Sequence, residues 1–190
     1  MSADKGEAGQ SLISDEASRE LLAALGQLTG GMSPQAFGGA WWNVLSRLAL
    51  APGRQAQLVQ TAIQKALALA QFTGSALKPQ DEAVAPQAAS TPYANRFADP
   101  AWAKFPFNVL AQSFITAAEL AREAVAGVPG TDAAAANVVG FTVREGLELL
   151  APDNYLPTNP QLLDQTRAER GKNLVRGEKY LAEDVQRMLQ

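Results

Sequence analysis

"DPAWAKFPFNVLAQSFITAAELAREAVAG", residues 99–127, decides the fold class. It opens with an aspartate followed by proline. The carboxylate can accept from orphan backbone N–H groups, and proline's fixed φ suits a first helical turn. After Pro106, Phe107, Leu110, Phe114, Ala117, Ala118 and Ala121 recur on one helical face. Gly127, Pro129 and Gly130 end the run. No part of it alternates with the period of a strand.

The same grammar recurs on both sides. Ser14 and the Ser33-Pro34 pair are start signals upstream; Thr131-Asp132 and Asn159-Pro160 are start signals downstream. Gly30-Gly31, Pro52-Gly53 and Pro152 are stops. Phe37, Trp41, Val44, Leu45 and Leu48 share a face, and so do Leu58, Ala62, Leu69 and Phe72, with Gln and Lys opposite. The chain therefore reads as all-α: about six helices in an antiparallel assembly with short connections. Residues 1–13 read as a disordered leader and 14–73 as a variable helical leader. The Pro/Ala-rich stretch 74–92 reads as a linker, and 93–190 as the more specific helical domain.

Composition excludes several function classes. The chain has no cysteine and no histidine. Disulfides, thiol nucleophiles and imidazole bases are therefore excluded, and tetrahedral zinc loses both favoured ligand types. No G-x-S-x-G elbow is present. The residues point to no metal and no cofactor. A net charge of −3 over 190 residues gives no basic footprint for nucleic acid. No apolar run reaches the roughly 20 residues needed to span a bilayer. The amino terminus lacks a secretory pattern, so a cytoplasmic, soluble protein is expected.

Four groups of residues invite more than one reading. Phe97, Trp102, Phe105, Phe107 and Phe114 crowd into residues 96–114. They are either core filler or an exposed apolar surface that docks on a partner or a hydrophobic polymer. Trp41 and Trp42 point about 100° apart on a helix, so one at most sits centrally in a narrow buried stripe. The other lies at its edge or outside, where it can touch a partner. Residues 164–187 carry mixed charges, with Glu169–Lys172, Lys179–Glu183 and Asp184–Arg187 spaced for helical pairing. They form a solvated face, or else Arg167, Arg170, Lys172 and Arg176 meet an acidic partner. Gly171 and Gly177 interrupt the last helical pattern, either through close approach of another backbone or through a local break at Gly171.

Two of these segments carry a family resemblance. "RFADPAWAKFP" places Arg96, Phe97, Asp99, Pro100, Trp102 and Pro106 on one signature. Thr158, Asn159, Pro160, Gly171, Asn173, Leu174, Val175, Arg176, Gly177 and Asp184 fall on a second. In that order and spacing the stretch resembles the N-terminal region of bacterial polyhydroxyalkanoate synthases, the poly-3-hydroxybutyrate polymerases. The resemblance implies membership of an acyltransferase that polymerises 3-hydroxyacyl-CoA. In that family the chemistry belongs to an α/β-hydrolase domain with a Cys, His and Asp, none of which can be placed here. No catalytic residue is therefore carried over. The resemblance implies an N-terminal module for granule or partner attachment, subunit association and support of a catalytic domain. The alternatives are a stand-alone accessory subunit or a phasin-like granule protein, and an acyltransferase active by itself, which the composition disfavours. Expected partners are the catalytic domain or a synthase subunit, a polyester granule or phasin-type proteins, and further copies in a homo- or hetero-oligomer. The candidate interaction residues are Phe97, Trp102, Phe105, Phe107, Trp42 and Arg176.

Overall fold

A computed structural model describes residues 32–78, 84–88 and 91–188. The leader at 1–13 and the helix opening at Ser14 lie outside them. The described residues form six α-helices, three short 3-10 turns and no strand. The helices are α1 (Pro34–Ala49), α2 (Pro52–Ala76), α3 (Phe107–Val125), α4 (Ala133–Leu150), α5 (Pro160–Ala168) and α6 (Lys172–Met188).

The start signals work as local chemistry. Ser33 Oγ accepts from the Ala36 N–H at 3.2 Å, with Pro34 in the first turn. Asp132 Oδ2 accepts from the Ala135 N–H at 3.1 Å and opens α4. Asn159 Oδ1 accepts from both Gln161 and Leu162 and opens α5. Each satisfies donors that the helix cannot satisfy itself.

The chain divides into two compact units. The first takes in Met1–Ala56 and Ala124–Thr142, and the second Gln57–Glu123 and Val143–Gln190. In the first unit, Ala40 and Val44 of α1 are buried, as are Val128 and, on α4, Ala135 and Val139. Asn43 Oδ1 accepts from the Asp132 N–H at 3.1 Å. Gly130 lies at φ +73°, and a Cβ there would come within 3.2 Å of the Arg47 guanidinium. Only glycine meets both demands without strain. Gln55 donates to the carbonyls of Leu48 and Ala49, covering the end of α1.

The second unit is organised around rings. Tyr93, Phe97, Trp102, Ala111, Ile115, Ala118 and Ala88 form its buried cluster, with Phe107, Phe114 and Leu147 packed against it. α2 is tied to α3 by Lys65–Glu119 at 2.7 Å and Thr61–Glu123 at 3.3 Å, and it buries Phe72.

Three sequence readings shift. The buried face of α3 is turned relative to the expected one: Asn108, Ala111, Gln112, Ile115 and Ala118 point inward and Ala117 outward. Two buried amides cause the turn. Asn108 Nδ2 donates to the Val84 carbonyl, and Gln112 Oε1 accepts from the Gln87 N–H at 2.7 Å. Hydrogen bonds to a passing backbone make those polar groups affordable inside. The same bonds hold residues 84–88 of the Ala/Pro-rich stretch against α3.

The last helical pattern is two helices, not one. At its end α5 forms a Schellman motif: the Gly171 N–H donates to the Thr166 carbonyl at 2.9 Å and the Arg170 N–H to the Arg167 carbonyl at 3.2 Å. Arg170 and Gly171 take φ of 51° and 80°. Gly177, by contrast, sits inside α6 with nothing near its Cβ position. The local break thus accounts for Gly171, and no backbone approaches Gly177 among the described residues. Finally, the outer side of α2 is not simply Gln and Lys. Val59, Ile63 and Leu67 are all exposed there.

Candidate functional site

The two signature segments meet in the second unit. The first runs through a bend at 91–97 into the 3-10 turn Pro100–Ala103. Asp99 holds that turn by accepting from the Ala101 N–H at 2.8 Å. Its carboxyl lies below the ordinary carboxylate value, first because of this backbone bond and then because of a hydrogen bond from the Gln161 side chain. Gln161 belongs to α5, so Asp99 links the first signature to the second.

Arg96 makes a stronger link. Its Nη1 donates to both oxygens of Asp153, at 2.8 and 3.0 Å, and its Nη2 pairs with Glu148. Glu148 is near the end of α4, and Asp153 is in the following 3-10 turn (Pro152–Asn154). A planar guanidinium can serve two carboxylates at once, and a lysine cannot reproduce that fork. Asn159 continues the chain of contacts. Besides capping α5, its Nδ2 donates to the Asp153 carbonyl at 2.7 Å. Thr158 Oγ1 donates to the Pro152 carbonyl at 2.6 Å.

The rings interlock beneath this polar frame. Phe97 meets Trp102 edge to face at 4.8 Å and Phe114 at 6.0 Å. Tyr93 meets Phe114 at 5.0 Å, and Trp102 meets Phe107 at 6.4 Å. Such pairs add to the area they bury. Trp102 is 0% exposed and Phe97 is buried, so neither ring is available to a partner. Phe107 is half-buried. Phe105 alone of the group stands out, at 57% exposure. It borders an open apolar groove of about 470 Å³ that also involves Pro106, Val109, Leu110, Ser113 and Pro157.

Trp42 belongs to the first unit and is 73% exposed, while its neighbour Trp41 is half-buried. The structure does not bring Trp42 into the ring cluster. Arg176 is spoken for: it pairs with Glu169 across the corner between α5 and α6. The Glu169 carboxyl is lowered first by a hydrogen bond from Gln165 and then by Arg176. Asn173 Nδ2 reinforces the corner by donating to Thr166 Oγ1 at 2.8 Å. Glu169 thus pairs with Arg176, where helical spacing suggested Lys172. Lys179–Glu183 and Asp184–Arg187 form as expected.

Beyond the corner, α6 carries Leu174, Leu181, Val185 and Met188 along one face, and all four are exposed. A helix with an apolar stripe and a charged back normally lays the stripe on something. Sequence reading also missed Asn108, Gln112, Glu148 and Asp153. The one available signal was polarity out of phase with the helix. It further passed over the S-x-x-K spacing of Ser75 and Lys78. The Ser75 hydroxyl donates to the Gln71 carbonyl at 3.1 Å, an ordinary back-bond of a helical serine. Among the described residues no group of acids, histidines or cysteines could hold a metal, and no helix is long and apolar enough to cross a membrane. Chemically, the arrangement is a stiff corner that presents apolar surface.

The family described as "Poly-beta-hydroxybutyrate polymerase (PhaC) N-terminus" matches residues 93–190. A "Poly(3-hydroxyalkanoate) polymerase subunit PhaC" of Rhizobium etli is 40% identical over 91 residues, which cover 47% of this chain and 14% of the relative. The protein of the same name from Rhizobium meliloti is 38% identical over 91 residues, covering 47% and 15%. A "Poly(3-hydroxyalkanoate) polymerase" of Methylorubrum extorquens is 38% identical over 96 residues, covering 50% and 16%. The chain thus matches only a small part of the length of these relatives. No solved structure matches it.

Proposed function

Because the chain belongs to the PhaC N-terminus family, we propose that it is the non-catalytic N-terminal module of a polyhydroxyalkanoate synthase. Its role is to dock on and support the α/β-hydrolase part that polymerises 3-hydroxyacyl-CoA. One observation carries this reading: the exposed apolar stripe of α6, Leu174, Leu181, Val185 and Met188. The stripe follows directly on a corner built from signature residues. Asn173, Arg176 and Gly171 fix the angle at which α6 leaves α5. Fixing a helix none of whose described residues is buried is useful when its face has to meet another body at a set angle. The chain has no imidazole and no thiol, so the ester-forming machinery is assigned to that other body.

Contact with the polyester is assigned to a separate place, the Phe105 edge and its apolar groove. Phe105 is the ring of the first signature that is exposed without being needed by the core. Attachment there would place the module at the granule surface.

The test uses the chain as it stands, mixed with the Rhizobium etli polymerase from which the matching 91 residues have been removed. Binding is followed by sedimentation and polymer formation by release of free CoA. The reading expects binding, and faster polymerisation than the truncated enzyme shows alone. Leu181→Gln with Val185→Gln should abolish both while leaving the helix content of the chain unchanged. Binding that survives this double substitution, or no binding at all, would overturn the assignment of α6.

A further inference from the structure

We propose that the groove between α1 and the start of α4 is the seat of this chain's own upstream segment, residues 14–29, folded back as a helix antiparallel to α1. The groove has a volume of about 330 Å³ and lies within the first unit. Ala36, Gly39, Ala40 and Asn43 line it from α1, and Ala134 and Val138 line it from α4. Ala36, Gly39 and Ala134 are exposed, although none of the three carries a polar side chain. A Cβ built on Gly39 would meet nothing within 4 Å, so the floor of the groove is open. Side chains this small let a second helix axis come close to α1.

Connectivity and pattern identify the occupant. Met32 stands at one end of the groove, and residues 1–31 join the described chain at that point. Gly30-Gly31 separates the upstream segment from the Ser33 cap of α1. Two helices joined by so short a connection lie antiparallel, side by side. In the upstream segment Ser14 is the capping residue, and Ala17, Leu21, Ala24, Leu25 and Leu28 fill a sector about 100° wide. Arg19 and Gly26 lie opposite. Counted back from the glycine break, Leu28 comes level with Ala36, Leu25 with Gly39 and Ala40, and Leu21 with Asn43. Large side chains of the segment thus meet small ones of α1.

Charge points to the same occupant. Arg47 lies one turn beyond Asn43 on the same face of α1, is exposed, and has no salt bridge to a described residue. Asp15, Glu16 and Glu20 open the upstream segment, and the antiparallel arrangement brings them to that end. Asp132, which also lines the groove, caps α4 and would face the positive, N-terminal end of the incoming helix. A helix from another protein would have to displace a segment tethered a few residues away, at an effective concentration on the order of millimolar. Neither the segment nor α1 belongs to the stretch 93–190 covered by the family match, so the function proposed for α6 is not involved.

The experiment is amide hydrogen exchange on the full chain at low micromolar concentration, read by mass spectrometry, with a peptide of residues 1–31 as the reference. A lone helix of roughly 15 residues is marginal in water, so protection of amides 17–28 requires a surface beneath them. They should exchange at least about tenfold more slowly in the full chain than in the peptide. Leu21→Gln with Leu25→Gln should remove that protection. Gly39→Leu, which fills the groove from below, should remove it too. As the chain has no cysteine, Leu25→Cys with Gly39→Cys should oxidise to a disulfide within one chain. Arg19→Cys with Gly39→Cys, from the opposite face, should not. Amides that exchange as fast as in the peptide overturn the proposal. So does protection indifferent to Gly39→Leu, which would seat the segment elsewhere, and so does a disulfide that forms between chains instead of within one. Should Gly39→Leu melt α1, the two cysteine pairs decide.

Discussion

Residues 93–115 and α6 both carry much apolar material, yet the structure treats them oppositely. In the first, Phe97 meets Trp102 edge to face, Tyr93 and Phe97 both meet Phe114, Arg96 ties the segment to Asp153 and Glu148, and little of Tyr93, Phe97 or Trp102 meets water. In the second, Leu174, Leu181, Val185 and Met188 stand on a helix with nothing across from them among the described residues. Apolar content alone does not separate a core from a contact surface. What separates them is whether the same unit supplies the opposite wall. The ring cluster has α3 as its wall; α6 turns away from α5 at a corner set by Gly171 and Arg176 and has none among the described residues. The energetic expectation follows: changes in the first region cost folding, and changes in the second cost association.

The largest effect that would break this contrast is at Trp102. Trp102→Ala removes the fully buried indole that joins Phe97 to Phe107 in the ring chain, and about 3–5 kcal/mol of stability should go with it. Urea titration followed by circular dichroism measures it. A loss under about 1 kcal/mol would mean that the ring cluster is not the wall described here.

Next comes Arg96→Ala. It strips two carboxylates of their shared partner at a half-buried site, and about 1–2 kcal/mol is expected, less at high salt. Arg96→Lys should recover only part of it, since one ammonium cannot fork between Asp153 and Glu148. Thermal melts at two ionic strengths separate the charge contribution from the packing of the side chain.

A smaller effect concerns pH. Asp99 titrates lower in the folded chain than its ordinary 3.8, chiefly because its carboxylate accepts the Ala101 N–H. Its contribution is therefore complete above the unfolded value and fades as pH falls through the lower, folded one. Asp99→Asn keeps a capping oxygen but cannot ionise. Its melting temperature should match the parent near neutrality and decline less steeply as pH falls below the ordinary 3.8. Identical acid limbs for the two proteins would show that Asp99 contributes nothing through its charge.

The smallest effect on folding is expected at Leu181. Leu181→Gln on exposed α6 should change stability by less than about 0.5 kcal/mol, against the several expected at Trp102. A larger loss would show that α6 is held by its own unit and would blur the contrast.

How much of this could be read in advance depends on the range of the interaction. Ser33-Pro34, Asp132 and Asn159-Pro160 announced helix starts correctly because a cap acts within three residues of itself. The adjacent Trp41 and Trp42 announced that one at most would sit centrally in a buried stripe, and Trp41 is half-buried while Trp42 is exposed, because helix geometry is local too. Arg96 was noticed as part of a signature, but its partners lie 57 and 52 residues further on, and no local pattern names them. Asn108 and Gln112 do not belong to the apolar face that helical spacing picks out. Only the passing backbone at Val84 and Gln87 shows why they turn in. Phe105 and Trp102 are both aromatic residues in the same ring-rich loop, yet one is exposed and the other sealed.

The sequence by itself determined that this protein is helical, where most of its helices begin and end, and which family it belongs to. Caps, helix breakers and signature spacing are all written within a few residues. Tertiary structure alone decided which apolar residues are spent on the core and which remain for a partner. That choice depends on whether a wall from a distant part of the chain arrives opposite each face, and a residue's immediate neighbours carry no record of it.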